Sequence, residues 1–314
     1  MKTYGLIGYP VKHSLSGLMH NAAFKELEIE AQYRLFEVAP EDLEDFLLKG
    51  KEVKDSKEES FCVEDLSGFN ITIPHKVRAY EMLTSFKKNI TVRQYPYVFL
   101  SGAINTVKRE DKDRIEFENT DAIGFIKSLE EDLGFDYKGK NVFIFGCGGA
   151  GRAVVAGLTA GLTGLKKDGE PIGVIYIYDS NRASLKSAEA HFEKFDDVKK
   201  NLKFIDSETQ IADIIKNAHL LVNASPVGMK EGDPSVIKKE LLHKDLSVYD
   251  VVYNRETQLV KDAKEVAGPL KAVGGLGMLL YQGVAAFEFW TAREAPLELM
   301  RRALEEGLKE CRKK

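Results

Sequence analysis

The sequence predicts an α/β protein of two domains, one of them a doubly wound, Rossmann-type dinucleotide-binding domain. Three observations carry this. Strand-like and helix-like patterns alternate along the whole chain, the rhythm of α/β layers and parallel sheets. At 314 residues the chain is long enough for two domains with ordinary cores. And an apolar run at 142–145 stops at Gly146, glycines follow at 148, 149 and 151, and an apolar helical pattern begins at Ala150. Strand, glycine turn and helix in that order is the setting a dinucleotide loop requires. Gly146 lets the chain turn sharply, Gly148 lets the backbone approach a pyrophosphate, and Gly149 and Ala150 open a helix whose free N–H groups and dipole favour an anion. A plain tight turn between strand and helix is the other reading of the same glycines.

In chain order, the first half offers strands near 4–7, 33–38, 69–73 and 103–107, with helical patterns at 15–27, 40–48 and 76–83 between them. A helix over 121–133 leads to the glycine motif. Strands near 174–178, 202–205, 220–223 and 248–251 follow, which is the doubly wound rhythm, and helices return from Met278 onward. The expected domains are 1–121 plus 276–314, and 122–275. Segments 49–59 and 166–171 are polar and charged and read as solvated insertions, and the tail 301–314 as a charged surface helix.

Composition narrows the function. Charged residues make up 30% and hydrophobic ones 44%, as in a globular protein, and the net charge of −4 argues against a nucleic-acid partner. Three cysteines, Cys62, Cys147 and Cys311, form no paired motif, so neither a disulfide framework nor a metal site is expected, and a reducing, cytoplasmic setting fits. The N-terminus shows no leader-like apolar run. The longest apolar stretch, 276–290, holds Gln282 and Glu288 and is too short to span a membrane, so no membrane partner is expected either.

Three polar clusters lie against predicted strand ends. Ser14 and Ser16, two apart in extended chain, point the same way and suit one carboxylate, although either also suits a helix cap. Asn70 and Thr72 share a strand face, and Lys76 opens the next helix. A lysine there opposes the helix dipole, a choice that suits proton transfer better than stability. Asn105 lies in a strand, and Asp121 starts the helix toward the nucleotide domain, where ordinary capping is the plain alternative.

Together these clusters resemble the shikimate dehydrogenase family. Its motifs are matched in order by Ser14-Leu-Ser16, by Asn70-Ile-Thr72-Ile-Pro-His-Lys76, by Ala103-Ile-Asn105-Thr-Val and by Asn119-Thr-Asp121. So are those at Gly146-Cys-Gly-Gly-Ala, Asn223-Ala-Ser225-Pro-Val-Gly-Met, Asp250-Val-Val-Tyr253-Asn and Gly275-Leu-Gly-Met278-Leu-Leu-Tyr-Gln282-Gly. The resemblance implies a small-molecule substrate, shikimate or a relative such as quinate, held through its carboxylate by Ser14 and Ser16, with Tyr253 nearby. It implies that Asn70, Thr72, Lys76, Asn105, Asp121 and Gln282 meet the substrate hydroxyls. Lys76 and Asp121 are implied as the catalytic pair, adjacent in space. Asn223, Ser225, Gly275 and Met278 are implied on the cofactor side. No metal is needed. A paralogue acting on an amino-shikimate or another polyol acid, and a non-catalytic nucleotide or ligand sensor, are the competing functions; a sensor would be free to lose Lys76 or Asp121. The assembly expected is a monomer or homodimer. Three positions depart from the family pattern: Gly17 and Arg255 where proline is usual, and Phe117 where glycine is usual.

The strand after the glycine loop ends in Tyr178-Asp179-Ser180-Asn181-Arg182. NADP-dependent members of the family usually carry Asn-Arg-Thr at this point. Aligned without a gap, Asp179 falls on that Asn and Ser180 on that Arg. A carboxylate there accepts bonds from a ribose and repels a 2′-phosphate, so NAD is favoured. Shifting the alignment by two puts Asn181 and Arg182 on the motif and fits NADP. Asp179 also suits a plain helix cap.

Overall fold

The computed structural model describes residues 1–85, 96–110, 114–163 and 171–311. The polar segment 166–171 lies outside them except for Pro171, as do the last three residues of the tail. The chain divides into two compact units, Met1–Thr120 with Leu280–Lys314, and Asp121–Leu279.

The first unit begins with β1 (Lys2–Gly8), α1 (Ser16–Glu26), β2 (Ala31–Glu37), α2 (Leu43–Lys49) and a short hairpin, β3 (Val53–Lys54) with β4 (Ser60–Phe61). Then come β5 (Gly68–Ile71), α3 (Lys76–Ser85), α4 (Pro96–Ser101), β6 (Thr106–Arg109) and β7 (Ile115–Glu118). The five-stranded sheet runs β2-β1-β5-β6-β7. β1 is parallel to β2 and β5, but β6 is antiparallel to both its neighbours. The expectation of parallel sheets is therefore corrected here: the sheet is mixed, because β6 and β7 are joined by a short connection that only an antiparallel pair accepts. Its core gathers Ile7, Phe36, Phe46, Phe69, Ile71 and Phe117, all nearly inaccessible to solvent.

The charged segment 49–59, read as a solvated loop, carries β3 and is tied down. Asp55 is buried and accepts from Arg34 at 2.6 Å and from the backbone N–H groups of Lys57 and Glu59. The Arg34 guanidinium also stacks over Phe61 at 4.9 Å. A charge run reports solvation tendency alone and is silent on a buried arginine 21 positions away.

The second unit starts in α5 (Thr120–Glu131), followed by β8 (Val142–Phe145), α6 (Gly149–Thr159), β9 (Ile175–Tyr178), α7 (Arg182–Phe192) and α8 (Asp196–Lys199). β10 (Leu202–Ile205), α9 (Ile211–Ile215), β11 (Leu220–Asn223), β12 (Ser247–Asp250), α10 (Gln258–Ala267) and β13 (Ala272–Gly274) complete it. The six strands run β10-β9-β8-β11-β12-β13, and every adjacent pair is parallel. This is the doubly wound order. The strand sequence reverses at β8, and ligands bind outside the carboxyl ends at such a reversal. β8 and β11 are buried at every position, as strands covered on both faces must be.

α11 (Leu276–Thr291) and α12 (Leu297–Cys311) end the chain. α12 lays Met300, Leu304 and Leu308 inward and packs on α1. Trp290 donates from Nε1 to the Val107 carbonyl at 2.9 Å, which anchors the end of α11 to the sheet of the first unit. Among the described residues no helix is long and apolar enough to cross a membrane.

Candidate active site

In the first unit the candidate residues collect at one edge of the sheet. Ser14 and Ser16 follow β1, and Thr72 and Lys76 follow β5, whose carboxyl ends lie side by side because the strands are parallel. Asn105 does not lie within a strand as expected but immediately precedes β6. The antiparallel direction of β6 brings its start to that same edge.

Ser14 and Ser16 do approach each other: the Ser14 hydroxyl donates to Ser16 Oγ at 3.2 Å and accepts the Ser16 backbone N–H at 3.3 Å. Neither is the N-cap of α1, which is Leu15 and makes no side-chain capping bond. β5 ends at Ile71, so Thr72 lies one residue past the strand, but its N–H still pairs with the Ile7 carbonyl at 2.9 Å and continues the ladder.

Asn70 and Asn105 are buried and heavily bonded. The Asn70 amide donates to Thr106 Oγ1 at 2.9 Å and the Asn105 carbonyl at 3.3 Å, and its oxygen accepts from the Tyr33 hydroxyl at 2.7 Å. The Asn105 amide donates to Thr120 Oγ1 at 2.9 Å and accepts the Thr120 N–H at 2.7 Å. Sequence reading missed Tyr33, Thr106 and Thr120. Thr106 and Thr120 stand inside the motifs that carry Asn105 and Asp121, but Tyr33 is an ordinary strand residue until the fold gives it a partner.

Lys76 is the first residue of α3, half-buried, and its carbonyl accepts the Ile104 N–H at 3.0 Å. His75 beside it is buried and donates from Nε2 to the Val38 carbonyl at 2.7 Å; burial lowers its pKa, so it stays neutral and structural. Gln282 is buried in α11. Glu118, at the end of β7, accepts the Asn119 N–H at 2.7 Å, and burial pushes its carboxyl up to about 7.

In the second unit, Asp121 is buried in the first turn of α5. The glycine loop has the geometry a dinucleotide needs. Gly146 sits at φ +90°, and a Cβ there would meet the Ser225 nitrogen at 2.8 Å, so only glycine fits. A Cβ on Gly275 would stand 2.1 Å from the Val251 carbonyl oxygen. Around Gly148, the N-cap of α6, a Cβ would meet nothing within 4 Å. Open space at a helix start, beside Gly149 and Ala150, fits a pyrophosphate.

Asp179 directly follows β9. Its carboxylate accepts the Cys147 N–H at 2.8 Å and the Asn181 N–H at 2.8 Å, so it joins the glycine loop to the next turn. It is not the cap of α7. That cap is Asn181, whose side chain accepts from the Ala183 and Ser184 N–H groups, and Arg182 is the first helical residue, exposed. Burial, together with the Asp179 carboxylate, pushes the Cys147 thiol pKa upward, so the thiol stays protonated and bonded to Asp179 at 3.3 Å.

Asn223 ends β11 with its side chain spent internally. It donates to the Val227 carbonyl and the Asp250 carboxylate, both at 3.0 Å, and accepts from the Ser225 hydroxyl at 2.6 Å. It shapes the loop that carries Ser225. Asp250 is buried, and burial raises its pKa against the bonds from Thr257, Val252 and Asn223. Tyr253 lies half-buried in the loop after β12, and Met278 is buried in the first turn of α11. Among the described residues no group of three or more His, Cys, Asp or Glu could hold a metal ion.

Comparison with known proteins agrees with both halves. Residues 6–107 match the family described as the shikimate dehydrogenase substrate binding domain, and 275–305 the shikimate 5′-dehydrogenase C-terminal domain. A shikimate dehydrogenase (NADP+) of Methanopyrus kandleri is 39% identical over 97% of this chain and 95% of its own. The chain belongs to the shikimate dehydrogenase family. A crystal structure of a family member in complex with NADP+ superposes with a TM-score of 0.76 at 33% identity, covering 98% of this chain and 96% of the other. The Listeria monocytogenes shikimate 5-dehydrogenase, solved with shikimate and NAD, gives 0.74 at 29% identity over 96% of each chain. Membership makes this chain an oxidoreductase that works with a nicotinamide cofactor.

Proposed function

We propose that the chain interconverts shikimate and 3-dehydroshikimate, with NAD as its preferred dinucleotide, in a cytoplasmic setting. In this reading Ser14 and Ser16 hold the carboxylate, and Asn70, Thr72, Asn105, Tyr253 and Gln282 bind or line the ring. The dinucleotide, when bound, supplies the hydride acceptor. The chain moves the proton: as the substrate hydroxyl becomes a ketone, Lys76 and Asp121 take its proton, and in the reverse direction the Lys76 ammonium stabilises the developing alkoxide and protonates it. The retained serine pair at 3.2 Å supports the reading, because two convergent hydroxyls on a helix start suit a carboxylate.

The NAD preference rests on one observation, the cap of α7. The motif of NADP-dependent relatives ends in threonine, a capping residue type. In the gapless alignment that threonine falls on Asn181, which does cap the helix. Shifted by two it falls on Ala183, a helical residue that cannot cap. The gapless alignment puts the Asp179 carboxylate where the ribose hydroxyls of NAD bind and where a 2′-phosphate is repelled. The second reading, NADP, has its own support in the exposed Arg182 and in the name of the Methanopyrus kandleri relative.

A steady-state panel of shikimate and quinate against NAD and NADP tests both proposals. We expect kcat/KM for shikimate to exceed that for quinate, and NAD to be preferred by on the order of 5–150-fold, the equivalent of roughly 1–3 kcal/mol of repulsion. Higher kcat/KM with NADP would replace the NAD reading with the one centred on Arg182. Turnover of neither acid would remove the substrate assignment.

A further inference from the structure

We infer that Tyr33 is a positioning residue of the substrate site: its hydroxyl fixes the orientation of the Asn70 amide. The inference rests on the proposal that Asn70 binds a hydroxyl of the hydroxy acid.

Tyr33 lies in β2, an edge strand. An edge strand presents backbone groups with no strand to pair them. At Tyr33 the gap is filled by a side chain of α1: Asn21 accepts the Tyr33 N–H at 2.7 Å and donates to the Tyr33 carbonyl at 3.0 Å. The neighbouring residue of α1, His20, stacks on the Tyr33 ring with centroids 4.5 Å apart and planes 16° apart. His20 is fully buried, neither ring nitrogen has a partner, and burial lowers its pKa to about 3. It therefore stays neutral and serves as a flat apolar plate. Backbone and ring are thus clamped by consecutive residues of the helix that begins with Ser16.

The hydroxyl of this clamped ring donates to Asn70 Oδ1 at 2.7 Å. Both Asn70 N–H groups are taken, by Thr106 Oγ1 and the Asn105 carbonyl. Turning the amide over would set its oxygen against that carbonyl. Tyr33 therefore locks Asn70 as an acceptor toward a ligand hydroxyl.

Tyr33→Phe keeps the ring, its stack on His20 and its backbone bonds, and removes only the hydroxyl. We expect KM for shikimate to rise roughly 5- to 10-fold with kcat within about twofold of wild type, the scale of a lost hydrogen bond that positions rather than reacts. The increase should be less than multiplicative with that of Asn70→Ala, because Tyr33 acts through Asn70. If Ser16→Ala and Asn70→Ala both leave KM unchanged, the substrate reading itself fails. If Asn70→Ala raises KM while Tyr33→Phe does not, or the two effects multiply independently, the role of Tyr33 is overturned and the substrate reading stands. A Tyr33→Phe variant with a lowered unfolding temperature and equal changes in kcat and KM would make Tyr33 a packing residue only.

Discussion

Lys76 occupies the first turn of α3, where the helix dipole opposes its charge, and Asp121 is buried in the first turn of α5. The dipole disfavours the lysine and favours the carboxylate, so only Lys76 sits where stability alone would not put it. Lys76→Ala should lower kcat by roughly 10²–10⁴-fold, the range for a lost acid–base group. Asp121→Asn should do the same, and, if the proposed shared proton transfer holds, the double variant should fall well short of the product of the two. Steady-state kcat with shikimate measures this; a near-normal Lys76→Ala enzyme would remove it from the mechanism. Glu118 makes a different prediction. Burial lifts its carboxyl from 4.5 to about 7 in the folded protein. Below pH 4.5 it is protonated folded and unfolded alike and costs nothing. As pH rises, the unfolded chain ionises first, so the native state loses stability until pH passes about 7, by roughly 3 kcal/mol in total. Glu118→Gln keeps an acceptor for the Asn119 N–H without the charge. Its unfolding temperature should exceed wild type at pH 8, with the advantage nearly gone at pH 5. An advantage independent of pH would mean that the carboxyl is not the cause.

At the scale of elements, the proposed NAD preference rests on the turn from β9 to α7. Asp179 is held by the Cys147 N–H of the glycine loop and by the Asn181 N–H, and Asn181 in turn caps α7. Residues 179 and 180 can therefore change without loss of the cap. Asp179→Asn combined with Ser180→Arg should move the kcat/KM ratio toward NADP by at least tenfold, since it removes a repelling carboxylate and supplies a cation. An unchanged ratio would show that Arg182 already governs the choice. Much at this scale was legible in the sequence. The runs at 142–145, 202–205 and 220–223 are strands with the expected bounds; the first and last are buried at every position, as strands covered on both faces are, while β10, at the edge, exposes Lys203. The short elements were not. β7, α4 and β13 span three to six residues each and escape any periodicity, and the β3–β4 hairpin is held by a contact with Arg34 that its own residues do not announce.

At the scale of the molecule, each unit gathers its candidate residues at one edge of its sheet. In the second unit this follows from six parallel strands, whose carboxyl ends carry Gly146, Asp179, Asn223, Tyr253 and Gly275 in successive loops. In the first unit the parallel strands β1 and β5 carry Ser14, Ser16, Thr72 and Lys76, while Asn105 reaches the same edge because β6 runs the other way. The chain boundaries expected after 121 and after 275 stand beside contact boundaries after 120 and after 279. The later difference arises inside α11, since one continuous helix has no break in its pattern to mark a change of unit.

The sequence by itself determined the α/β class, the doubly wound unit, the glycine loop and the family, because each is written in local periodicity or in residue types at fixed spacing. Tertiary structure alone decided the mixed sheet of the first unit, the capping of α7 by Asn181 and not Asp179, and the internal use of the Asn223 side chain. It also decided the bond from the Tyr33 hydroxyl to Asn70. The physical reason is common to these cases. A polar side chain carries the same sequence signal whether it bonds a ligand, caps a helix or satisfies a buried neighbour, and only the groups that the fold sets within hydrogen-bonding distance, here residues 27 to 37 positions apart for Asn223 and Tyr33, distinguish the outcomes.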